Sequence, residues 1–274
     1  KGDNDIALDY YKRSLKIKED LGDEHGLATG YSNLGTHYCD IGEIDKCLEL
    51  PIRGLEIRKK LDDKDGMASS YNSIGYGYWR KYDYDSALSY YTLSVKIWEE
   101  LEYKINYPLN NIGVLYRNIG DYEKAIDTFT RTHKIGEELK DEMGIVFSAH
   151  NLGNTYYYLE NYIKAQEYLE KSLDKQKEIE TKVISLLTTT FLFLTYKELG
   201  IQYDEKEIHS IIKETANINF TTNYAIYRLI DDNSYLESAY NQIQESIDKM
   251  EEKYKGKFLS YPIPLCNCRR VGEG

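Results

Sequence analysis

The sequence predicts an all-α fold, a solenoid of antiparallel helix hairpins stacked one on the next. Three observations predict it. First, Asn33-Leu34-Gly35 returns as Ser73-Ile74-Gly75, Asn111-Ile112-Gly113 and Asn151-Leu152-Gly153, so the glycines lie 40, 38 and 40 residues apart. A fixed period in the range of about 20–50 residues marks a solenoid whose units lean on their neighbours. Second, positions around that glycine agree: Ser32, Asn72, Asn110 and His150 stand three before it, and Tyr38, Tyr78, Tyr116 and Tyr156 three after. Third, a downstream set agrees as well. Cys47, Ala87, Ala125 and Ala165 come twelve after the glycine, then Pro51, Tyr91, Phe129 and Leu169, then the small Gly54, Ser94, Thr132 and Ser172. Steps of three and four residues place each set on one helix face, giving two helices per unit.

Between the helices run Ile41-Gly42-Glu43, Lys81-Tyr82-Asp83, Ile119-Gly120-Asp121 and Leu159-Glu160-Asn161. Glycine there ends the first helix, and Asp or Asn caps the second. The mid-helix glycine costs about 1 kcal/mol against Ala. Its return in register predicts close helix approach, with the small residue twelve positions later facing it.

Residues 1–26 read as the second helix of a truncated repeat, with Ala7, Tyr11 and Ser14 in frame, so the chain is expected to be a piece of something longer. Full units follow at 27–66, 67–106, 107–144 and 145–184. The third is short because the connection at 103–106 lacks two residues, and Pro108 opens its first helix, where Pro is tolerated. Pro51 stands inside a helix, where it costs about 3 kcal/mol and predicts a kink. Residues 185–216 form a degenerate unit: Leu192 and Tyr196 keep the frame, Phe193 replaces the glycine, and Glu205 and His209 replace the small and aromatic residues. Residues 217–257 read as capping helices with a stripe of Tyr235, Leu236, Ala239, Tyr240, Ile243 and Ile247. Residues 258–274 show no period and are expected to be a disordered tail.

Tyr31, Leu34, Gly35 and Tyr38 on the first helix, with Ala125, Phe129 and Thr132 on the second, resemble the tetratricopeptide repeat over roughly residues 1–200. The period of 40 in place of the family's usual 34, and the missing repeat-ending Pro, are similar to the longer repeats of kinesin light chains, of LGN/Pins adaptors and of bacterial signalling proteins. The resemblance implies a right-handed superhelix that binds a protein or peptide along its concave wall. The segment around Ser234–Gln244, with Lys257–Pro264, resembles the C-terminal end of environmental bacterial tetratricopeptide proteins, several of which carry a nucleotide-cyclase domain ahead of the repeats. That likeness implies the alternative function, a regulatory module of a larger signalling enzyme with its catalytic domain upstream.

A net charge of −11 and a pI of about 5.1 argue against a general nucleic-acid role. No run of eighteen apolar residues predicts a membrane span. The four cysteines predict no disulfide framework: Cys39 and Cys47 fall at helix-packing positions, Cys266 and Cys268 form a lone C-x-C without metal partners, and a reducing cytoplasm follows. No phosphate loop, nucleophile elbow or metalloprotease motif is present, so no enzyme activity, metal or cofactor is expected. Glu205 and His209, four apart, read as a solvated helix face.

Stacked hairpins line their concave wall with the first helices. The candidate partner-binding residues are therefore Asn33 and Thr36 in the first full unit, and Asn72, Tyr76, Trp79 and Arg80 in the second. The third supplies Asn110, Asn111 and Arg117, and the fourth His150, Asn151, Asn154 and Tyr157. Carboxamides both donate and accept, which suits a peptide backbone. Arg80 and Arg117 suit a carboxylate.

Overall fold

The computed structural model describes residues 2–102, 107–215, 218–248 and 250–260. The expectations for the 103–106 connection and for residues 261–274, including Cys266 and Cys268, lie outside them. Among the described residues there are fourteen helices and no strand. They fall into two compact units, one ending at Pro108 and the other beginning at Leu109.

The first unit holds α1 (Gly2–Asp20), α2 (Glu24–Asp40), α3 (Ile44–Lys60), α4 (Lys64–Arg80) and α5 (Tyr84–Glu100). The second holds α6 (Tyr107–Ile119), α7 (Tyr122–Leu139), α8 (Glu142–Tyr158), α9 (Tyr162–Glu178) and α10 (Ser185–Leu199). It continues through α11 (Glu205–Glu214), α12 (Phe220–Ile230), α13 (Asn233–Asp248) and α14 (Glu252–Ser260). Phe258 is buried in α14, so ordered structure runs into the segment expected to be a tail.

The connections share one turn. A left-handed residue recurs at Gly22, Gly42, Asp62, Tyr82, Glu102, Gly120, Lys140, Glu160, Glu180 and Gly200. The spacing is twenty residues, except eighteen between Glu102 and Gly120, where the short unit lies. Six of these turns end on a side-chain cap: Asp23, Asp63, Asp83, Asp121, Asp141 and Asn161 each accept from the backbone N–H three residues on. Glu43, ahead of α3, makes no such bond. A cap of this kind contributes about 1 kcal/mol.

The register glycines do meet a close neighbour, but the contact is mainly with the residue sixteen positions on, where twelve was expected. A Cβ built on Gly35 would sit 2.5 Å from Pro51 Cδ, on Gly75 2.8 Å from the Tyr91 ring, on Gly113 2.5 Å from the Phe129 ring and on Gly153 2.6 Å from Leu169 Cγ. The bulky side chain of the second helix therefore lies flat on the first helix's bare backbone. Pro51 takes this slot inside α3, its ring packing where Tyr91, Phe129 or Leu169 stands in the other units.

Two further contacts recur. Ser94 donates to the Ala68 carbonyl and Ser172 to that of Val146, at 2.8 and 2.9 Å, tying second helix to first. Lys46, Lys124 and Lys164 lie over the rings of Tyr38, Tyr116 and Tyr156. In the unit that has Ser86 in place of that lysine, Tyr90 stacks on Tyr78 instead.

The cysteine expectation needs correction. Cys39 and Cys47 form a disulfide, with their Cα atoms 4.8 Å apart. Antiparallel α2 and α3 bring the end of one helix beside the start of the next, within the usual span of a disulfide. Both residues are fully buried.

Candidate functional site

The first unit gathers one polar cluster at the end of α4. The Tyr76 hydroxyl donates to Asp40 Oδ1 at 2.8 Å. Arg80 lies 3.4 Å from that hydroxyl and 3.7 Å from the same carboxylate oxygen. Trp79 stacks on Tyr76 with ring centroids 5.6 Å apart, and its indole N–H is buried without an acceptor. Burial first, then the bond to Asp40, raises the Tyr76 hydroxyl above its ordinary pKa and keeps it a donor. Asp40, the last residue of α2, was absent from the sequence-level site. Its position at a helix end beside the turn was the available signal.

Asn33 and Asn72 line a separate cavity of about 350 Å³ in the same unit, with Ser32, Arg58, Ser69 and Trp98. Arg58 is 4% exposed and donates to Ser32, Ser70, Thr29 and the Gly66 carbonyl, joining α3 to α2 and α4. Desolvation lowers its pKa, while Asp63 and Asp65 act to raise it. Thr36 turns back on its own helix, donating to the Ser32 carbonyl at 3.1 Å.

The second unit gathers the other predicted residues differently. Asn151, 6% exposed on α8, accepts from Arg117 at 2.8 Å and donates to Asn110 at 2.9 Å, both on α6. Arg117 also lies over the Phe129 ring at 5.8 Å and feels the hydroxyls of Tyr158 and Tyr122. Those two rings stack on each other, centroids 6.1 Å apart. Desolvation lowers the Arg117 pKa, yet a guanidinium stays charged in proteins. Its one hydrogen bond leaves most of its five donors unused, and no carboxylate lies within ion-pair distance among the described residues. Asn154 is 4% exposed and its amide makes no hydrogen bond within the described residues. It sits one helical turn beyond Asn151 and one before Tyr158 on the same face of α8, and Arg117 bonds the first and feels the second. Val114 lies nearby on α6, one turn before Arg117. Asn111 is half-buried on the same helix.

Two predicted residues lie elsewhere. Tyr157 is 4% exposed in the core, against Phe191, Tyr162 and Tyr158, and burial lifts its hydroxyl to about 12. It shares its offset from the glycine with Arg117, but α10 covers it. His150 is buried against Thr188 of α10, with Nδ1 3.0 Å from its hydroxyl. Burial, and secondarily Arg117, pull the imidazole down to about 3. Neither presents a surface to a partner.

No group of three or more metal-ligating side chains occurs among the described residues. None of the described helices is long and apolar enough to cross a membrane.

Among solved structures, BtubC (BKLC) from P. vanneervenii is 19% identical, with a TM-score of 0.66, covering 77% of this chain and 89% of that one. Kinesin light chain-like repeats from Podosopora anserina are 14% identical, with a TM-score of 0.53 over 74% of this chain and 97% of that one. A Rap protein complexed with Competence and Sporulation Factor is 18% identical, with a TM-score of 0.66 over 98% of this chain and 71% of that one. No curated protein sequence matches. The tetratricopeptide repeat family model matches residues 26–100 and 105–178, more than half of the sequence, in the same frame as the glycine register and the hairpins. The chain belongs to the tetratricopeptide repeat family.

Proposed function

We propose that this chain is a non-catalytic interaction scaffold that binds an extended segment of a partner protein, and that the second unit holds an acidic group of that segment. The carrying observation is the Arg117 guanidinium, bonded to Asn151 and without a carboxylate among the described residues, with Asn154 one helical turn beyond Asn151 on α8. A desolvated cation gains most from a hydrogen-bonded anion, and the planar fork matches a carboxylate in two-point contact. Asn154 would take a backbone amide of the same segment, since it both donates and accepts. The Rap neighbour, solved with a bound factor, is a member of the same fold class that holds a partner.

The test is a peptide array in which every acidic peptide is paired with its Asn/Gln counterpart, read by fluorescence anisotropy. Wild-type protein should retain acidic members. Arg117→Ala should weaken them at least tenfold, and Arg117→Lys should restore little, because an ammonium lacks the fork. Acidic and neutral peptides bound equally, with Arg117→Ala indifferent to both, would reject the reading.

A further inference from the structure

The start of α3 is secured differently from its neighbours. Its capping residue Glu43 makes no side-chain cap bond, whereas six other turns carry one. Pro51 has no N–H to give the Cys47 carbonyl, so the helix also lacks one ladder bond in its second turn. Two ordinary restraints are missing from residues 43–51, and the Cys39–Cys47 disulfide anchors the first half of that stretch.

The two cysteines also depart from the repeat. Cys47 occupies the slot filled by Ala87, Ala125 and Ala165 in the other units, and Cys39 the one filled by Trp79, Arg117 and Tyr157. A sulfur pair at bonding distance fills this space. Gly77 of α4 packs against this pair: a Cβ built on it would lie 3.0 Å from Cys47 Sγ and 2.6 Å from Leu48. Gly77 adjoins Tyr76, and Cys39 adjoins Asp40, which accepts the Tyr76 hydroxyl. The disulfide therefore touches both sides of the Asp40–Tyr76–Arg80 cluster through the backbone.

We infer that Cys39 and Cys47 form a redox-controlled staple that sets the order of the α3 start and, through Asp40 and Gly77, of the polar cluster on α4. Closing it takes two protons and two electrons from the thiols. Glutathione disulfide accepts them and leaves as two molecules of the thiol. A dithiol such as dithiothreitol reverses the step, cleaving the S–S bond and becoming a cyclic disulfide. The missing cap and ladder bond supply the local opening through which a reagent reaches sulfurs that are otherwise buried.

The experiment is hydrogen–deuterium exchange on the full chain, after equilibration with glutathione disulfide or dithiothreitol, with Cys39 and Cys47 followed by non-reducing peptide mapping. The cross-linked peptide should appear with the disulfide reagent. On reduction, exchange over residues 40–52 and 76–80 should rise at least tenfold, while α8 stays unchanged. Cys47→Ala, which restores the residue of the other repeats, should show no response to dithiothreitol at residues 40–52. The inference fails if Cys39 and Cys47 stay as thiols in glutathione disulfide, if reduction leaves exchange at 40–52 unaltered, or if Cys47→Ala still responds there.

Discussion

Arg80 in the first unit and Arg117 in the second both lie at the C-terminal end of a first helix, yet their surroundings differ. Arg80 has a carboxylate, Asp40, and a phenol, Tyr76, within its own unit. Arg117 has a carboxamide and three aromatic rings but no acid within ion-pair distance among the described residues. Two adjacent repeat positions, five and four residues after the register glycine, thus carry arginines in different settings. A guanidinium given an internal anion organises the fold around it. A guanidinium surrounded by rings and an amide has no such internal anion among the described residues, which is why an external one is proposed for it.

The largest effect should come from breaking the scaffold that both arginines share. Gly113→Leu would drive a side chain into the Phe129 ring, which already lies at contact distance. Overpacking of this kind typically costs 1–3 kcal/mol, and neighbouring units amplify it. Denaturant unfolding should show that loss, and a midpoint equal to wild type would refute the glycine register.

A second measurement sharpens the contrast through His150, which lies within the field of Arg117. Its folded pKa, about 3, lies below the usual value near 6.5, because burial and then Arg117 disfavour the charged ring. The unfolded chain takes up the proton as pH falls below about 6.5 while the folded chain does not. Stability is therefore full above that pH and is lost as pH falls toward 3, by up to about 1.4 kcal/mol per pH unit. Between about pH 6.5 and 5, wild type should lose roughly 1.6 kcal/mol more than His150→Gln. Parallel profiles for the two proteins would show that His150 is not held neutral.

A smaller effect tests the turns on which both units are strung. Glu160 adopts a φ of 58°. A left-handed conformation costs a non-glycine residue about 1–2 kcal/mol, part of which glycine returns as chain entropy on folding. Glu160→Gly should raise stability by about 0.5 kcal/mol, seen as a small increase in Tm. A decrease would mean that the Glu160 side chain contributes more than its backbone costs.

Much of this was legible beforehand, for identifiable reasons. Gly35, Gly75, Gly113 and Gly153 exposed the register because an interior helix glycine has a propensity cost that only packing offsets. The Asp and Asn caps were legible because capping is local in sequence. What stayed hidden depends on neighbours. Arg117 and Tyr157 hold the same offset, and only the presence of α10 over Tyr157 separates a half-buried residue from a core one. Asp40 reaches Tyr76 from another helix, 36 positions earlier. The Cys39–Cys47 bond required knowing how tightly α2 and α3 close at their turn. The left-handed Asp62, Tyr82 and Glu160 carry no glycine to announce them. Their turns follow from the packing of the helices on either side.

The twenty-residue turn has a consequence for how the chain assembles. Within a hairpin and between hairpins the backbone reverses in the same way, so local geometry does not tell a helix which neighbour is its own partner. That choice falls to side chains: bare glycine against a bulky residue inside a unit, and serine hydroxyl to carbonyl across the same pair. Any two consecutive helices are then a legitimate starting point for folding, and an early pairing can grow in either direction. Gain or loss of a single helix, by contrast, would exchange every inner pairing for an outer one, so such a lineage is expected to change length two helices at a time.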